Sequence, residues 1–182
     1  MKKYIYLLTL TLIVFANNIT AQELNEKSVL LVTIELENNE QKNNSSSNFV
    51  NAMVDKFWNG GSMMIDIMAR DPNFMDDTKR YIKIAKDNNL EIMLLIKIDY
   101  SIDIKNNHSY MTKMEISYKI FSLVKNEFIR EELIEDRSLN KMIRSELHRR
   151  NIFKNLGDEL FEYINNPSNY PTKNIIRNSF DR

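Results

Sequence analysis

Cysteine is absent from the 182 residues, and glycine and proline occur only three times each. The first absence excludes disulfides, thiolate metal sites, a cysteine nucleophile and lipidation at an N-terminal cysteine. The second argues against a turn-dense sandwich or barrel and favours long helices and strands. Neither sign of charge is in excess, with 25 Lys and Arg against 25 Asp and Glu. A near-neutral chain lacks the field that steers a protein onto nucleic acid, where basic side chains must displace counterions. No nucleic-acid partner is therefore expected. What is present suits a packed core: 43% of residues are apolar and 27% charged, in a length that allows one domain. The 10 methionines are spread through apolar positions and read as soft core filler.

One long apolar run stands at the N-terminus. Met1-Lys2-Lys3 is basic, and Tyr4 to Ala16 is an apolar stretch of 13 residues. That is short of the roughly 20 residues a membrane-spanning helix needs, but it fits the core of an export signal. Asn17 and Asn18 end the run, and Ala21 before Gln22 offers the small residue a cleavage site requires. Residues 1–21 are expected to be a signal peptide, with cleavage after Ala16 as the alternative. Removal of Lys2 and Lys3 leaves a net charge of −2 on a mature chain that is periplasmic or secreted. An uncleaved anchor, or a buried N-terminal element, would instead leave Met1 at the start.

The mature chain reads as one domain over 22–166 with a tail over 167–182. Ser28 to Glu37 (SVLLVTIELE) is apolar on both faces through Ile34, as an interior strand must be. After the polar loop Asn38 to Ser47, the segment 48–59 places Phe49, Val50, Met53, Val54 and Phe57 on one helical stripe. Gly60-Gly61 stops that helix, and the short apolar run Ser62 to Met68 reads as a strand. A helix over 77–88 buries Tyr81, Ile82 and Ala85, and Leu90 to Ser101 is a second apolar strand. From Tyr110 to Ile120 even positions are mostly apolar and odd positions mostly polar, which predicts an antiparallel strand with one wet face. Phe128 to Glu135 follows as a weaker strand. Ser138 to Asn165 then reads as helical, with one stripe on Leu139, Met142, Ile143 and Leu147 and another on Phe153, Leu156, Leu160 and Ile164. The tail is expected to lie loosely on the surface or be disordered. The order β-α-β-α-β-β-β-α predicts an α/β fold with a mixed sheet of about five strands and helices packed upon it.

This order resembles a group of bacterial envelope α/β domains. The group comprises the TolB N-terminal domain, the CsgG periplasmic domain and lipoprotein activators of penicillin-binding proteins. The resemblance runs from about Ser28 to Ile164. It lies in the strand SVLLVTIEL, the helix FVNAMVDKFW, the strand MMIDIMARD, the helix-turn-strand YIKIAKDNNLEIMLLIKI and the meander MTKMEISYKIFSLVKNEFIREE. The chain departs from the group in having Asn89 where a turn glycine is expected, Lys125-Asn126 at the hairpin, and no acylated cysteine. It also lacks the transmembrane hairpins of a pore. The resemblance implies an envelope-facing binding role, with an envelope protein or peptidoglycan-associated component as partner, and carries over no catalytic residue.

The residues themselves give little chemistry. Asp66, Asp71, Asp76 and Asp77 lack calcium-loop spacing, and Asp76-Asp77 suits a helix's first turn. His108 and His148 have no acid-nucleophile pattern around them. No catalytic residue, metal or cofactor is expected. Arg137, Lys141, Arg144, Arg149 and Arg150, with His148, make the last helix locally basic at spacings of three and four. They form a candidate surface for an acidic partner, polysaccharide or lipid head groups, the last by peripheral contact; a solvated helix face paired with Glu146 is the other reading. Trp58 is expected in the core, with the rim of a binding surface as its alternative place. An enzymatic reading needs carboxylates that meet only in space, Asp66 and Asp99 being the acids chosen near strand ends.

Overall fold

The computed structural model describes residues 26–41, 46–166 and 174–181. The expected signal peptide lies outside them. β1, Val29–Glu37, is buried at every position through Leu36, because it has neighbours on both edges and packing on both faces. β3, Met64–Met68, runs parallel on one side, and β4, Ile92–Lys105, runs parallel on the other. β5, His108–Ser122, and β6, Glu127–Asp136, extend the sheet antiparallel. Two short strands bring the count among the described residues to seven: β2, Glu40–Gln41, folds back on the end of β1, and β7, Lys141–Ile143, pairs with β5 beyond the reach of β6.

Two crossovers put helices on opposite faces. The chain leaves β1 through α1, Ser46–Asn59, to β3, then returns past β1 through α2, Lys79–Asp87, to β4. The crossovers step in opposite directions, so right-handed connections require opposite sides. Phe49, Met53 and Phe57 of α1 pack with Leu31, Leu94 and Ile116 on one face. Tyr81 and Ala85 of α2 pack with Leu30, Val32 and Leu95 on the other. Trp58 leaves the stripe of α1 and is 72% exposed, contrary to the core position expected of it.

The helical stretch expected from Ser138 to Asn165, with a kink or break at His148 to Asn151 as its alternative, is divided earlier than that. Residues 141–143 are β7, and α3 begins only at Glu146 and runs to Asn165. Ser145 is the cap, its hydroxyl accepting from His148 N, while His148 Nδ1 accepts from Arg144 N. This reciprocal pair supplies the stop-and-start signal that the apolar spacing hides. Met142 and Ile143 find sheet partners in Tyr110 and Ser109, and Leu147 is 68% exposed. The second stripe, Phe153, Leu156, Leu160 and Ile164, is buried as predicted. Gly157 lets α3 touch α1: a Cβ there would stand 2.7 Å from Phe49 O.

The loose tail is corrected over its described part, residues 167–173 lying outside the described residues. Residues 175–181 form α4, with Ile175 and Ile176 in the core. Arg177 reaches Asp136 at 2.7 Å and Lys141 reaches Asp181 at 2.8 Å, which closes the helix over β6 and β7. In β5 the alternation holds from Met114 to Ile120 but shifts at Thr112. Ser101 pairs with Lys113 and Ile102 with Met111, so Thr112 is the extra residue of a bulge and Met111, not Thr112, turns inward.

Candidate functional site

Glu35 and Glu37 on β1 share the face of Leu31 because strand side chains alternate. Tyr100 on β4 pairs with Glu37 across the ladder and points the same way. The first turns of α3 cover this corner, where the parallel strands end. Arg149 enters from α3 and donates to both the Glu37 carboxylate and the Tyr100 hydroxyl, with Glu35 Oε1 at 3.8 Å. Tyr100 donates to Glu35 Oε1 at 2.6 Å. Its ring packs 5.2 Å from Phe153 and 5.4 Å from the Arg149 guanidinium. Asn38 fastens the strand end, its side-chain oxygen accepting from Ile102 N at 3.0 Å, next to the bulge.

Burial, then the charge and hydrogen bond of Glu35, push the Tyr100 hydroxyl well above its ordinary 10.0. Burial opposes the charge on Arg149, yet Tyr100, Glu37 and Glu35 outweigh it and raise the guanidinium above its ordinary value. Tyrosine and arginine are both locked in their protonated forms near neutral pH, which makes the group a clamp between helix and sheet. A second clamp lies at the other end of α3, where Tyr118 and Tyr163 donate to Glu132 and Arg130 reaches both Glu132 and Ile164 O.

Beside the first clamp a cleft of about 290 Å³ opens between the β4–β5 turn and the start of α3. Asn107, His108, Arg144, Ser145, Glu146 and Arg149 help line it. Of the basic residues singled out in the sequence, Arg144 and Arg149 meet here. Arg137 instead pairs with Glu135 at 2.9 Å, Lys141 with Asp181, and Arg150 with Glu146 at 3.5 Å. A single basic helix face does not form, because residues 137–144 are turn and strand and lose the helical spacing. Asp66 and Asp99 do not converge either: Asp66 pairs with Leu31 and Asp99 with Leu36, on opposite faces of the sheet. Glu35, Glu37 and Tyr100 escaped the sequence reading, although acids on the parity of the buried Leu31 were their signal.

No protein-family model and no curated protein matches the chain. Solved structures are similar to it at low identity and modest scores. Lipoprotein GNA1162 from Neisseria meningitidis is 10% identical, with a TM-score of 0.45 over 79% of this chain and 99% of that one. The LpoB C-terminal domain from Salmonella enterica is 11% identical, with a TM-score of 0.38 over 66% and 94%. TolB from Acinetobacter baumannii is 8% identical, with a TM-score of 0.38 over 77% of this chain and 28% of that one. No site residue or partner carries over from these similarities. Among the described residues, no helix is long and apolar enough to cross a membrane.

Proposed function

We propose that the chain is an exported, non-enzymatic binding protein of the cell envelope. It engages another envelope protein or a cell-wall component through the cleft at the start of α3. The observation that carries this reading is the polar cleft itself, built against a rigid clamp between sheet and helix. Tyr100 is buried and spends its donor on Glu35 and Glu37, and Arg149 donates to Glu37 and Tyr100, so the clamp fixes the floor of the cleft in one shape. Arg144, Asn107 and His108 then supply polar contacts on rigid elements, with Arg149 fixing the floor. The basic-apolar-polar order of residues 1–21 supports export to the periplasm or beyond. The hydrolase reading loses its named acids to opposite sheet faces.

Photo-crosslinking from Asn107 in intact envelopes tests the proposal. A discrete adduct is expected, and Arg144→Glu should reduce it about tenfold or more, as loss of a charged interfacial contact does. An adduct indifferent to Arg144→Glu, or turnover of an ester, amide or glycoside by the purified chain, would overturn it.

A further inference from the structure

The pole opposite the cleft, where β1, β3 and β4 begin and β5 ends, presents apolar side chains to solvent. Trp58 is 72% exposed, Met63 55%, Val124 78% and Phe128 45%. Local geometry puts the first two there. Ser62 N bonds to Phe57 O and Gly61 N to Trp58 O, and Gly61 takes φ 80°, so the chain reverses tightly between Trp58 and Met63. Val124 stands in the turn after β5, beside a cleft of about 210 Å³ lined by Ile92, Val124 and Ile129 together with Lys27, Glu91 and Lys125.

These side chains sit at strand and helix ends, at one end of the sheet. An indole, a phenyl ring and aliphatic tips with lysines around them are the make-up of surfaces that enter a lipid head-group region. Lysine stems lie along such a surface with their ammonium groups at its polar border, that of Lys27 on Glu91 at 3.0 Å. The same pole is where the chain departs toward its N-terminus, since Lys27 lines the cleft and Glu26 precedes it. The apolar run Tyr4–Ala16 ends ten residues before Glu26, a distance of at most about 36 Å when extended. Whenever that run occupies a membrane, this pole is tethered close to the bilayer.

We infer that this pole docks on a lipid bilayer, with Trp58, Met63, Val124 and Phe128 entering the head-group layer. The contact is peripheral, and it uses the pole away from the partner cleft. The two surfaces can therefore fail separately.

Trp58 is the chain's one tryptophan and reports the contact directly. Residues 22–182 are mixed with vesicles of phosphatidylethanolamine and phosphatidylglycerol. A blue shift of Trp58 emission, quenching by lipids brominated on their acyl chains, and co-flotation are expected. Met63→Ser with Val124→Ser should weaken partitioning at least about tenfold while keeping the tryptophan reporter. Both side chains are exposed, so the circular dichroism spectrum and Tm should be retained. Arg144→Glu, which tests the cleft, should leave flotation unchanged. The inference is overturned if Trp58 emission does not respond to vesicles or if flotation ignores the double substitution. It is equally overturned if Arg144→Glu abolishes flotation, or if the shift appears with a purified envelope protein and not with lipid.

Discussion

Asparagine takes over the work of the scarce glycines. Asn38, Asn39, Asn89, Asn106, Asn107 and Asn126 all adopt left-handed backbone conformations, with φ from 51° to 67°. Asn106 and Asn107 make the two-residue β4–β5 turn, whose geometry needs φ above zero at both positions. Asn89 ends the turn after α2, its N–H bonding to Lys86 O at 3.1 Å, and delivers the chain into β4. The sequence showed Asn89 and Asn126 as departures from a glycine pattern; the reason is that asparagine is the other residue that tolerates this region. Asn89→Ala should therefore cost about 1 kcal/mol in urea unfolding, whereas Asn89→Gly should cost close to nothing. Equal costs for the two would show that the side chain, not the backbone angle, matters. Glu35 and Glu37 were legible in principle by their parity with Leu31. Their partner Arg149 was not, because it arrives from 112 residues away in the chain.

Elements were readable where one periodicity ran long enough. β1, α1, the latter half of α3 and most of β5 follow directly from their apolar spacing. Failures came where spacing was ambiguous. Leu139, Met142 and Ile143 fit a helix as well as a strand over so few residues, and the unpaired upper edge of β5 decided for β7. α4 is only seven residues long, too brief for a stripe, and it is held by the Asp136 and Lys141 pairs as much as by Ile175 and Ile176. The contact of α1 with α3 rests on Gly157, whose space is closed by backbone oxygen. Alanine normally gains in a helix interior by about 1 kcal/mol over glycine. Here Gly157→Ala should instead destabilise by about 1–3 kcal/mol, because Phe49 O cannot retreat without moving α1. A thermal midpoint at or above the parent value would mean that the two helices can slide apart freely.

Across the whole molecule, three depressed carboxyls fasten separate parts of the chain. Hydrogen bonds from Lys27, then Ser28, hold Glu91 below its ordinary value and fix the N-terminal entry to β4. Burial pushes Glu132 up, but the bonds from Tyr118 and Tyr163 and the charge and hydrogen bond of Arg130 outweigh it and hold that carboxyl low. The Arg177 bond is the main cause that lowers Asp136, and it secures α4. A carboxyl whose folded pKa is depressed gives stability above its unfolded pKa and loses it as pH falls through the folded value. Unfolding midpoints should thus fall progressively below about pH 5. Tyr100, Tyr118 and Tyr163 are raised, chiefly by burial and secondly by the neighbouring carboxylates. The sign reverses for them, so their share is present below the ordinary 10.0 and lost above it as unfolded tyrosines ionise first. Glu132→Gln separates these contributions. It removes one proton-linked group, so the variant should be less stable at pH 7 yet show a shallower decline toward pH 3 than the parent chain. If its midpoint falls as steeply with acid as the parent's, Glu132 is not a source of the acid limb and the clamp at the far end of α3 is not what acid releases.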